Sequence, residues 1–177
     1  IAARTDVVVS PLIALMKDQV DSLRQLGYPA AALHSALDPD EMRDVEMGMA
    51  EGRYRLVFAA PERLVAPRFL QWLESADIRN FAVDEAHCIS HWGHDFRPEY
   101  RALHNLRETF PDLVFHAFTA TATPQVREDV CLHLGLDDPA VLVGSFDRPN
   151  INFAVEGRQR VYEQIKGVID RHSGESW

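Results

Sequence analysis

Short apolar runs rich in β-branched residues alternate with longer stretches of helical period along the 177 residues, and this alternation leaves few architectures open. Val7 to Ser10 reads as a buried strand, and Ser10 followed by Pro11 as a helix start of the cap-then-proline kind. Leu12, Leu15, Met16, Val20, Leu23 and Leu26 then stripe one face until Gly27 stops the pattern. After a strand at Ala30 to His34, Asp38-Pro39-Asp40-Glu41 offers an N-cap, a first-position proline and an acid at the third position. Strands are further expected at Tyr54 to Ala60, Phe81 to Val83, Val114 to Phe118 and Val141 to Val143. Helices are expected around Phe69 to Ala76, from Pro98 to about Thr109, and from Pro124 to Leu134, where Gly135 follows. The succession predicts an α/β fold, a mainly parallel sheet with helices on both faces.

Phe146-Asp147-Arg148-Pro149-Asn150 breaks the rhythm, and a strand at Ile151 to Val155 with a helix from Gln159 to about Arg171 restarts it. One domain is therefore expected over residues 1–145, with a linker and the start of a second over 146–177. No apolar run approaches the roughly 20 residues of a membrane-spanning helix, so no membrane partner is expected. Cys88 and Cys131, the two cysteines, form no paired-ligand spacing, which suits a reduced intracellular protein. The chain begins at Ile1, without the basic start or cleavage pattern of a secretory signal, and a missing native start is expected. A formal charge of -9 argues against a broad nucleic-acid-binding face. Six acids against one arginine between Asp38 and Glu51 carry much of that excess, so any phosphate contact must be local.

Asp84-Glu85-Ala86-His87 is the strongest local signal, because it follows the apolar run Phe81-Ala82-Val83 directly. Ligands of open parallel sheets lie beyond the carboxyl ends of the strands, where these two acids fall. Nucleotide hydrolysis needs one carboxylate to hold magnesium on the phosphates and a second group to deprotonate the attacking water. A specified four-residue string arises by chance in such a chain on the order of once in a thousand, which disfavours a merely acidic turn.

Trp92, Phe96 and Tyr100, interleaved with Arg97, suit stacking on unpaired bases, worth about 1 to 3 kcal/mol per base. Aromatic residues also plug cores, and on residue type alone both readings stay open. His87, His91 and His94 show a zinc-like spacing, but the catalytic zinc pattern needs Glu after the first histidine and Cys88 stands there; no zinc is expected. His87 can instead bond to the Thr119-Ala120-Thr121 strand end, or simply face solvent. Thr119, Thr121 and Thr123 alternate as on a strand leaving its sheet, which ordinary β-propensity also explains. Lys17 and Arg63 could each meet a phosphate or stay solvated.

Five strings in order resemble the motifs of RecQ-type DNA helicases. Ser10 to Val20 resembles their first DNA-contacting motif, and Ala60-Pro61-Glu62-Arg63-Leu64 the second. Asp84 to Tyr100 resembles their hydrolysis motif with its aromatic-rich loop, apart from His91, where many relatives have Gln. Phe118 to Thr123 is similar to their coupling motif, and Phe146 to Asn150 to the segment joining two motor lobes. The resemblance implies most of a RecA-like lobe that uses ATP and Mg2+ and moves 3′ to 5′ on single-stranded and partly duplex DNA. It implies that Asp84 holds magnesium through water, that Glu85 is the general base, and that His87, Thr119, Ala120 and Thr121 couple nucleotide to DNA. DNA contacts would come from Ser10, Lys17, Pro61, Glu62, Arg63, Trp92, His94, Phe96, Arg97 and Tyr100.

No G-x-x-x-x-G-K-S/T string occurs, and neither lysine, Lys17 or Lys166, follows a glycine. The resemblance implies that the phosphate loop precedes Ile1 and that a second lobe and downstream domains of the same chain complete the motor. The 177 residues alone are not expected to hydrolyse ATP. The site of action would be the cytoplasm or nucleoid of a bacterium, or the nucleus of a eukaryote. The residues also allow two alternatives, an RNA-remodelling ATPase and a non-catalytic nucleic-acid-binding module.

Overall fold

The computed structural model describes residues 4–64, 66, 69–70, 73, 76–145, 147–151, 154–155 and 157–172. The chain divides into two compact units, residues 1–139 and 140–177. The sequence pattern put its break at residue 146, which lies outside the described residues.

The first unit is built on five parallel strands: β1 (Thr5–Val9), β2 (Ala30–Leu33), β3 (Leu56–Ala59), β4 (Ile78–Val83) and β5 (Val114–Ala117). Their order across the sheet is β2-β3-β1-β4-β5. The helices are α1 (Ile13–Gln25), α2 (Pro39–Ala50), α3 (Pro61–Leu64), α4 (Pro98–Arg101), α5 (His104–Thr109) and α6 (Pro124–His133). A 3-10 turn, η1, covers Ala86–Ile89. Half of the expected helix around Phe69 to Ala76, residues 71–72 and 74–75, lies outside the described residues.

Both faces of the sheet are covered, so β1 buries alternate side chains completely and half-buries the rest. On one face Val7, Val9, Val57, Phe81 and Val83 pack with Val45 and Met49 of α2, Leu106 of α5, and Val126 and Val130 of α6. On the other, Phe58 and Ala60 meet Met16 and Val20 of α1. The chain thus leaves β1 toward one face and β4 toward the other. Adjacent parallel strands whose connections diverge open a crevice at their carboxyl ends, the usual seat of a ligand in such sheets.

Local chemistry explains where the helices begin and break. Asp38 accepts from the backbone N–H groups of Asp40 (2.9 Å) and Glu41 (2.8 Å), and the Glu41 carboxylate accepts from Asp38 N–H, completing the capping box. The helix start expected at Ser10-Pro11 is corrected. Ser10 N–H donates to Ala59 O and prolongs the ladder, so α1 begins at Ile13 with Leu12 as an N-cap that makes no side-chain bond. The single helix expected from Pro98 to Thr109 is split. N–H groups of Leu103, Asn105 and Leu106 bond to carbonyls three residues back, tightening the winding so that Tyr100, Leu103 and Leu106 all face the core.

The second unit contributes α7 (Val161–Arg171), whose described residues bury none of their side chains. The strand expected at Val141 to Val143 does not form. Two positions of the expected strand at Ile151 to Val155 lie outside the described residues.

Candidate functional site

β4 ends at Val83, and Asp84 N–H donates to Val9 O at 2.9 Å, so Asp84 stands on the crevice side of the β1 and β4 ends. Its carboxylate accepts from Glu85 N–H at 2.9 Å, a bond that orients it. Glu85 adopts the left-handed conformation at φ 47°, ψ 43°, which is strained for a residue with a side chain and concentrates at functional sites. The strain turns the chain directly from strand into η1. Glu85 thereby stays partly exposed, with Oε2 at 3.2 Å from His87 Nδ1.

His87 is buried, and three groups converge on its Nδ1. Thr119 Oγ1 lies at 3.0 Å, Glu85 Oε2 at 3.2 Å and Thr121 Oγ1 at 3.5 Å. The segment carrying the threonines is fixed beside the acid pair because Phe118 N–H donates to Val83 O (2.8 Å) and Ala86 N–H to Phe118 O (2.9 Å). Thr119 Oγ1 also accepts from Thr121 N–H at 3.2 Å, and Ala120 between them is exposed. Burial pushes the His87 imidazole below its ordinary value, and the His94 ring stacked at 4.3 Å adds to that, against the attraction of Glu85. A neutral ring at Nδ1 can donate one hydrogen bond, so Glu85 and Thr119 compete for it. A residue that switches between a carboxylate and the next strand can report a change at one to the other.

The three loop aromatics have different fates. Trp92 is 68% exposed. Phe96 is half-buried, with the His91 ring at 3.7 Å and the Arg101 guanidinium over it at 5.4 Å. Tyr100 is fully buried and donates its hydroxyl to Asp84 O at 3.0 Å, so its expected place on the strand-facing surface is corrected: it plugs the core beneath the acid pair. Burial pushes its phenol far above the ordinary value. Arg97 pairs with Asp95 at 2.9 Å, which holds that carboxyl below its usual range, and donates to Pro11 O at 3.2 Å. The loop is thus tied to the segment leaving β1.

The remaining expected DNA contacts are dispersed in character. Lys17 and Glu62 are exposed, whereas Pro61 is buried. Ser10 is fully buried, which corrects the expectation that its hydroxyl faces a nucleic acid. Arg63 is three-quarters buried and engaged with Glu46 at 3.7 Å and the Met42 sulfur, so it braces α2 against α3. Sequence reasoning missed Gly93, where a Cβ would come within 2.5 Å of His87 O, and the bond from Ser90 to Asp129. Gly93 carried a signal, as a lone glycine among aromatic and charged residues; Asp129, an ordinary polar position on a helix, carried none.

The profile of the family described as DEAD/DEAH box helicase matches residues 3–130. Over 170 residues the chain is 40% identical to the ATP-dependent DNA helicase RecQ of Haemophilus influenzae, covering 96% of this chain and 28% of that protein. It is 45% identical over 152 residues to the Bacillus subtilis protein of the same name, covering 85% of this chain and 26% of the relative. The chain therefore spans little more than a quarter of either. A solved structure, the DUF1998 helicase MrfA bound to DNA, shares the fold with a TM-score of 0.54 at 14% identity, over 72% of this chain and 20% of that one.

Proposed function

Because the chain belongs to the DEAD/DEAH box helicase family, we propose that it forms part of the motor of a RecQ-type DNA helicase, in which ATP hydrolysis drives 3′-to-5′ movement on single-stranded DNA inside the cell. The observation that carries the reading is the convergence on His87 Nδ1 of a carboxylate from the acid pair and two hydroxyls from the next strand end. Hydrolysis and strand movement need such a link between the nucleotide and the track.

Asp84 and Glu85 offer hard carboxylate oxygens beyond a strand end, the donor type that magnesium takes, so these residues fit the metal. Magnesium, when bound, neutralises charge on the nucleotide phosphates. Asp84, oriented by the Glu85 N–H, would hold it. Glu85 takes the proton of the attacking water, with His87 able to share that carboxylate. Trp92 and Phe96 present ring faces to unpaired bases, and Arg97 and His94 flank them. A second lobe and further domains of the same protein complete the site.

ATP hydrolysis by the intact protein, measured with and without oligodeoxythymidylate or oligouridylate, tests this reading. Stimulation by the DNA oligomer is expected. Stimulation by the RNA oligomer alone would replace the reading with an RNA-remodelling ATPase, and no hydrolysis at all would leave a non-catalytic binding module.

A further inference from the structure

Ser90 is completely buried at the exit of η1, and its hydroxyl has two partners of different origin. It donates to Asp129 Oδ2 at 2.7 Å and accepts from Trp92 N–H at 3.1 Å. Asp129 lies on α6, whose N-cap is Thr123, at the end of the segment that carries Thr119 and Thr121. The other Asp129 oxygen stands 3.7 Å from His133 Nε2 one turn on. The turn carrying Trp92 is held close to η1, because Gly93 N–H donates to Ser90 O at 3.1 Å and a Cβ at Gly93 would come within 2.5 Å of His87 O. A buried hydroxyl needs a partner, but a backbone carbonyl would serve that need as well as a carboxylate on a distant helix.

We propose that Asp129 is a positioning residue that holds the exposed Trp92 through Ser90, so that a base stacking on Trp92 is felt by the helix following the coupling threonines. The inference rests on the helicase reading above. It adds a second connection between the aromatic loop and the segment that follows β5, in addition to the His87 contact. The chain of contacts is short and contiguous: Asp129 carboxylate, Ser90 hydroxyl, Trp92 backbone. Links that act as one relay lose no more together than singly.

The test uses the intact protein and measures melting temperature and the stimulation of ATP hydrolysis by oligodeoxythymidylate on the same preparations. In Ser90→Ala and in Asp129→Ala the stimulation is expected to fall about threefold to tenfold. The double variant should fall no further than either single one, because both break the same relay. Asp129→Asn keeps an acceptor oxygen for the Ser90 hydroxyl and should retain most of the stimulation. Should Asp129→Ala fail to fold, Ser90→Ala, which removes a single oxygen, decides alone. A lowered melting temperature with stimulation intact would reduce the pair to a structural tether and overturn the proposal, as would multiplicative losses in the double variant. Trp92→Ala is the control for the underlying reading: if it leaves stimulation intact, the strand-sensing loop itself fails, and the relay with it.

Discussion

Trp92, Phe96 and Tyr100 are equivalent on paper, and depth alone separates them. Tyr100→Ala should cost about 3 to 5 kcal/mol, because it empties a packed aromatic site. Trp92→Ala should change stability by about 0.5 kcal/mol or less, since exposed positions carry little packing. Melting curves of the two variants check this, and equal losses would contradict the assignment of plug and platform. Residue type could announce aromatic faces, but burial depends on the tightened winding after Arg97, which no local pattern encodes. Cys88 is a second case. Burial pushes its thiol up to about 11, whereas Cys131 is half-buried. A thiol reagent at pH 8 should therefore label Cys131 first, and mass spectrometry of the labelled peptides would reveal the reverse order. His87 titrates with the opposite sign. Its folded value lies below the ordinary 6.5, so the unfolded chain binds the proton more readily. Stability from this group is present above about 6.5 and lost as pH falls through the lower folded value. Replacing His87 with Asn should flatten that acid-side loss in melting temperature; an unchanged slope would mean that other groups set it.

All five described strands were legible, because a parallel sheet buried on both faces demands short apolar runs and the helices between them demand a different period. Their ends moved by a few residues where backbone bonds overrode propensity, as at Ser10, which joins the ladder instead of capping α1. Val141 to Val143 shows the limit of such reading. A β-branched run states only a preference, and a strand also needs an edge to pair with. The cap of α2 was fully legible, since its donors and acceptors are local in sequence. Asp38→Ala should cost about 1 kcal/mol, measurable by denaturant unfolding as a shifted midpoint with unchanged slope. The contacts that organise the candidate site were legible as motifs but not as geometry. The left-handed Glu85 and the Ser90 to Asp129 bond join positions that no local pattern connects.

At the scale of the whole molecule, the net charge of -9 is the feature least compatible with a DNA partner, and six of the acids behind it lie on α2 or at its two caps. The likeness to RecQ helicases read from the motifs extends over 96% of the chain in the Haemophilus influenzae protein. Without a glycine-rich lysine loop, the 177 residues on their own should turn over ATP no faster than buffer. Among the described residues, no helix is long and apolar enough to cross a membrane. In the proposed motor the acid pair at the end of β4 performs hydrolysis, and the decisive measurement is ATP turnover by the intact protein carrying Glu85→Gln. Hydrolysis should fall by about 100-fold or more while ATP and DNA binding persist, as expected for the loss of a general base. Hydrolysis at the native rate would rule out the acid pair and place the site elsewhere.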